Sequence, residues 1–175
     1  NIRLLYSGIM SRSIRGLEFL IQATKAIPEL TTTLVGYGPD EEYLRGLAAG
    51  EPRITFMGKQ PREKVDALLT ETDCIVTLLD PTFPNYKYAT STKLFEAFAY
   101  GIPVITTNDT ATAKLTKEAA WGYTIPYNDE SLKILLQDMV NGNAELVQLD
   151  PLRVARWDWT AITEPLRERY STLQK

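Results

Sequence analysis

The residues with the most chemistry in their types and spacing are Thr90-Ser91-Thr92-Lys93-Leu94-Phe95-Glu96, which run on through Ala97-Phe98-Ala99-Tyr100 to Gly101-Ile102-Pro103-Val104-Ile105. Three consecutive hydroxyl residues precede an apolar-periodic segment. At a helix N-terminus such side chains cap the free amides, or leave them aimed at an anion that the helix dipole also favours. Glu96 follows about one turn later, and no Ser or Thr stands three residues before it, so it is not the reciprocal partner of a capping box. Leu94, Ala97, Phe98 and Gly101 form a core stripe, while Lys93, Glu96 and Tyr100 share a neighbouring polar stripe that could face a cleft. The pattern is that of a phosphate-binding helix start with a carboxylate behind it.

A second cationic segment, Gly8-Ile9-Met10-Ser11-Arg12-Ser13-Ile14-Arg15-Gly16, has a glycine at each end and two guanidinium groups suited to bidentate contact with diphosphate oxygens. Two solvated arginines in an ordinary strand-to-helix turn are the plainer alternative. The chain has no histidine and one cysteine, Cys74. The commonest general base is therefore missing and a zinc site cannot be built, so chemistry falls to carboxylates, Lys, Arg, hydroxyls and backbone. A formal net charge of −3 argues against nucleic acid held by bulk electrostatics. No apolar run approaches the ~20 residues of a membrane span, and a lone cysteine within an apolar run fits a reducing, cytoplasmic compartment.

These groups need a scaffold, and 175 residues with 44% apolar content suffice for one domain. Strand and helix signals alternate, predicting a Rossmann-like open parallel sheet of about six strands with helices on both faces. Strands are expected at Ile2–Ser7, Thr31–Val35, Arg53–Met57, Cys74–Leu79, Pro103–Thr107 and Gly122–Pro126. Helices are expected at Arg15–Ile27, Glu41–Ala49 with Asp40 as cap, Pro61–Thr72, the signature segment, Ala111–Ala120 and Asp129–Asn141, with a last one capped by Asp158. Asp80–Thr90 is expected to be a long aromatic loop, and loops at the carboxyl edge are where such sheets place ligands.

The signature segment resembles the GT-B glycosyltransferases (glycosyl transferases group 1, family 4-like), whose helix reads roughly P-x-K-x-x-E-a-m-a-x-G-x-P-V-I. Lys93, Glu96, Gly101, Pro103, Val104 and Ile105 match it. The glycine-flanked loop is similar to the family's G-R-x-x-x-x-x-K-G, with Arg15 at the lysine position, and Gly36-Tyr37-Gly38-Pro39 and Phe56-Met57-Gly58-Lys59 resemble its v-G-x-G-P and f-x-G-x. The resemblance implies the carboxyl-terminal half of a GT-B fold. That half would be the donor-binding domain of a retaining enzyme that moves a hexose from a UDP- or GDP-linked sugar to a glycan or lipid-linked acceptor in polysaccharide biosynthesis.

By the same resemblance, Gly8, Arg12, Arg15 and the segment Ser91, Thr92 and Lys93 hold the donor diphosphate, and Glu96 holds the ribose. Gly58 and Lys59 line the base pocket, and Asn85 and Tyr88 sit in the sugar loop; Arg15 and Glu96 carry the catalytic contribution. No cofactor or metal is implied. An amino-terminal acceptor domain of similar size is expected outside this chain, which alone would bind donor without turnover, and peripheral attachment to the inner membrane face would come through that missing half. Three positions depart from the family: Ile9 stands at its arginine, Tyr88 at the glutamate that supports the sugar, and Thr92 at its proline. Thr92 is tolerable in a first helical turn, whereas Ile9 and Tyr88 keep open a non-catalytic nucleotide-sugar sensor or scaffold. A different Rossmann-like enzyme, such as a sugar-nucleotide epimerase or a nucleotide-dependent oxidoreductase, is the further alternative; against the oxidoreductase stands the absence of a G-x-G-x-x-G turn after Gly8.

Overall fold

Six strands, β1 (Ile2–Ile9), β2 (Leu30–Tyr37), β3 (Ile54–Gly58), β4 (Cys74–Thr77), β5 (Val104–Thr107) and β6 (Gly122–Ile125), pair in parallel in the order β3-β2-β1-β4-β5-β6. The computed structural model describes residues 1–144, 155 and 157–173. Between the strands run α1 (Arg12–Arg15), α2 (Leu17–Ala26), α3 (Glu41–Leu47), α4 (Arg62–Thr70), α5 (Pro84–Tyr88), α6 (Thr92–Tyr100) and α7 (Ala111–Ala119). Among the described residues, α8 (Asp129–Asn141) and α9 (Trp159–Leu173) follow β6. No helix among the described residues is long and apolar enough to cross a membrane.

Both sheet faces are covered, so successive strand residues enter different cores. Leu4, Tyr6, Cys74, Val76 and Ile105 pack with Leu20 and Ile21 of α2, Leu44 of α3 and Leu132 and Leu136 of α8. Leu5, Ile75 and Val104 face the other way, against Val65 and Leu69 of α4, Leu94, Ala97 and Phe98 of α6, and Trp121. This two-sided burial is why the Cys74–Leu79 run is apolar without alternation. Each fully buried leucine, such as Leu94, contributes about 1.5–3 kcal/mol relative to an exposed one.

Three local expectations change. The first helix does not run unbroken from Arg15, because Gly16 adopts φ 59° and divides α1 from α2. A Cβ at Gly16 would also lie 2.8 Å from Leu78 Cδ1. Asp40 does not cap α3; its carboxylate instead accepts from the Arg12 N–H at 3.0 Å, joining the loops after β1 and β2. Asp80–Thr90 is not loop throughout, since Pro84 starts the short helix α5, as its fixed φ suits a first helical turn. Asp158 does accept from the Thr160 N–H at 2.8 Å at the start of α9. Of the two tryptophans flanking it, Trp157 packs on the second core and Trp159 is 75% exposed.

The close approach of β1 and β2 requires a glycine. Gly36 has φ 132°, and a Cβ there would lie 1.8 Å from the Gly8 carbonyl oxygen. Gly36→Ala is therefore expected to separate the carboxyl ends of β1 and β2 and to destabilise the fold by about 3 kcal/mol or more. Urea unfolding would show this as a lower midpoint; an unchanged midpoint would mean that the backbone relaxes freely.

Candidate functional site at the carboxyl edge of the sheet

The sheet order reverses at β1, whose neighbours are β2 and β4, and a crevice opens there at the strand ends. It holds a cavity of about 370 Å³. One wall is the exit of β1, from Tyr6 to Ile9, with Arg15; the other is Thr77 and Leu79 of the β4 exit, Asn85 and Tyr86 of α5, and the stretch from Ala89 to Lys93 that leads into α6.

A set of buried threonines places the start of α6. Ser91 Oγ lies 3.0 Å from Thr77 Oγ1, and the Ser91 N–H donates to Thr112 Oγ1 at 2.9 Å. Thr106 Oγ1 donates to the Thr77 carbonyl at 3.2 Å, and the Leu79 N–H donates to Thr107 Oγ1 at 3.1 Å. Strand β4 and helix α7 thus meet on Ser91, and β5 braces the exit of β4. The Lys93 N–H donates to Ser91 Oγ at 3.3 Å and the Leu94 N–H to the Ser91 carbonyl at 3.1 Å. The Ser91 and Lys93 amides, expected to face an anion, are therefore engaged within the chain. The Thr92 N–H has no acceptor among the described residues, and Thr92 is exposed at the cavity mouth.

Arg15 supplies cationic charge on the facing wall. Its guanidinium lies 5.1 Å from the centroid of the Tyr86 ring, a cation–π arrangement. No carboxylate pairs with it among the described residues, and its buried Nε has no hydrogen-bond partner there. Beneath it Tyr6 donates its hydroxyl to the Ile9 carbonyl, and burial pushes the phenol up to about 12, against a smaller opposing pull from Arg15. Tyr6 therefore stays protonated across the ordinary pH range.

Glu96 lies one turn into α6 with its side chain 15% exposed, next to the cavity rather than in its wall. Lys93 Nζ is 2.9 Å from both carboxylate oxygens, and Arg62 Nη1 is 3.0 Å from Oε1. Arg62 also pairs with Asp66 at 2.8 Å. Tyr100 on α6 is the largest of the influences that hold the Asp66 carboxyl below the usual range. The Asp66 carboxylate, followed after a burial cost by Glu96, raises the Arg62 guanidinium above its ordinary value. The polar stripe of α6 thus faces α4.

Other sequence-derived residues fall outside the cavity. Arg12 turns away from it and sits 4.6 Å over the Tyr43 ring, because its N–H is anchored to Asp40 on the β2 side. The structure does not bring it to Arg15's wall. Gly58, with φ 65°, and Lys59, 5.8 Å over the Tyr37 ring, lie at the end of β3, removed from the cavity lining. Asn85 lines the cavity, whereas Tyr88 is 76% exposed and does not; Tyr86 takes the inward position on α5. Ile9, at the mouth, is 54% exposed.

Tyr6, Thr77, Tyr86 and Thr112 are residues that the sequence reading missed. The hydroxyl-rich stretch Thr106-Thr107-Asn108-Asp109-Thr110-Ala111-Thr112 was a signal for the threonine set. Arg62 carried none, because its partner lies 34 residues away.

A curated relative, the amylovoran biosynthesis glycosyltransferase AmsK of Erwinia amylovora, is 26% identical over 145 residues, covering 76% of this chain and 35% of that protein. Among solved structures, Anabaena Alr3699/HepE in complex with UDP superposes with a TM-score of 0.77 at 17% identity, over 98% of this chain and 49% of that one. Sucrose-phosphate synthase from Thermosynechococcus elongatus gives 0.75 at 24% identity, over 98% and 45%. The chain spans about half the length of these solved structures and about a third of the curated relative. The sheet and its two helical layers match the Rossmann-like half of a GT-B fold. The profile of the family described as glycosyl transferases group 1 matches residues 1–140, four fifths of the chain, which therefore belongs to that family.

Proposed function

We propose that this domain binds the nucleotide-diphosphate sugar of a retaining glycosyltransferase that moves a hexose to a glycan or lipid-linked acceptor. The observation that carries the reading is the cavity between the ends of β1 and β4, lined by both Arg15, which has no carboxylate partner among the described residues, and Thr92, whose amide has no acceptor among them. Both groups suit a diphosphate. Two structures of the fold relative HepE, one with UDP and one with UDP-glucose, support a uridine nucleotide as the first candidate.

In this reading the bond between the anomeric carbon and the diphosphate breaks, and negative charge develops on the departing phosphate. Arg15, the Thr92 amide and Lys93, once it leaves Glu96, stabilise that charge more in the transition state than in the ground state. Glu96 accepts from the ribose hydroxyls. The acceptor is presented by a preceding domain that closes over the donor and excludes water, so this chain alone binds and does not turn over. The reaction takes place in the cytoplasm, with any membrane attachment made through the preceding half.

A non-catalytic nucleotide-sugar sensor is the second reading, favoured by exposed Ile9 and Tyr88 where the family has an arginine and a glutamate. Transfer by a longer protein carrying this domain, against donor binding without transfer, separates the two.

Calorimetric titration of the chain with UDP, GDP, ADP and dTDP tests the site without an acceptor, and binding of one ribonucleotide is the expected result. Glu96→Gln should weaken that nucleotide about tenfold and leave pyrophosphate nearly unchanged; equal losses for both ligands would remove the ribose role. Arg15→Ala should weaken both by about 1.5–3 kcal/mol, the worth of a charge-assisted hydrogen bond. Unaltered affinities would make Arg15 a bystander.

A further inference from the structure

We propose that Arg62 is a positioning residue for ribose recognition, acting as the fixed cation on Glu96 while Lys93 is the exchangeable one. The inference rests on the ribose role of Glu96 given above. Arg62 is fastened at both ends of its fork: one arm is 3.0 Å from Glu96 Oε1 and the other 2.8 Å from Asp66 Oδ1. The guanidinium thereby bridges α4 and α6 and sets the plane of the Glu96 carboxylate.

Lys93 is placed differently. Its ammonium, 2.9 Å from both Glu96 oxygens, spans the edge of the carboxylate that a ribose diol would need. Lys93 also belongs to the cavity lining, within reach of an incoming diphosphate. Glu96 is mostly enclosed, with its side chain 15% exposed. An enclosed carboxylate stripped of its counter-charge is strongly disfavoured. Arg62 removes that obstacle, because it stays on Oε1 when Lys93 turns to the phosphates and uncovers Oε2 for the sugar hydroxyls. A planar fork can hold Asp66 and Glu96 together, whereas an ammonium on a flexible stem is suited to exchange.

The test is calorimetric binding of UDP, GDP and ADP, each with its 2′-deoxy counterpart, to the unaltered chain and to Arg62→Gln, Arg62→Lys and Glu96→Gln. Melting temperatures are recorded throughout. The unaltered chain should favour the ribonucleotide over its deoxy form. Arg62→Gln should reduce that preference about tenfold, Arg62→Lys should restore part of it, and Arg62→Gln should add nothing in the Glu96→Gln background. Asp66→Asn, which releases the other arm of the fork, should shift the preference in the same direction by less and serves should Arg62→Gln fail to fold. A merely structural role would lower the melting temperature without changing the ribose preference.

Retained preference in Arg62→Gln, or in Asp66→Asn where it stands in, with preference present in the unaltered chain, overturns the role of Arg62 and leaves that of Glu96 standing. Equal binding of ribose and deoxyribose forms by the unaltered chain, or no binding of either, removes the role of Glu96 and this proposal with it.

Discussion

Strand β1 pairs with β2 on one side and β4 on the other, so the segments leaving β1 and β4 diverge over a crevice that no strand fills. Much at the site follows from this one constraint. Arg15 reaches the crevice because α1 is short and Gly16 turns the chain at once into α2, while Tyr86 comes from the opposite wall because Pro84 folds the β4 exit into α5. The Gly8 and Gly36 contact keeps the rim tight on the β2 side, leaving the opening toward β4.

The start of α6 is held by β4 and α7 through small hydroxyl side chains. Thr77, Thr112 and Ser91 satisfy one another in a partly buried place where an unpaired polar group would cost about 1–3 kcal/mol. Their short side chains have few rotamers, so the helix start is fixed with little loss of entropy. The first residue of the helix, Thr92, is left with an amide that has no acceptor among the described residues.

The alternation of strand and helix signals was legible because hydrophobic period and glycine placement act locally, and all six expected strands form within a few residues of their expected bounds. The signature helix was also legible: Leu94, Ala97 and Phe98 are buried as their spacing required. Less readable were features set by contacts distant in sequence. Asp40 looked like a cap but is taken by Arg12 across 28 positions, and Glu96 looked free to face a cleft but is met by Arg62 from another helix. On α5, a helical twist that the loop reading did not include brings Tyr86 inward and leaves Tyr88 outward.

Cys74 is the chain's single cysteine, and it is fully buried in β4, where burial pushes its thiol well above the ordinary range. Thiolate is the reactive form, so alkylating labels find almost no target on the native chain. One cysteine introduced at a solvent-facing position such as Tyr88 would then carry a fluorophore alone, turning the rim of the crevice into an optical reporter with no background site to remove.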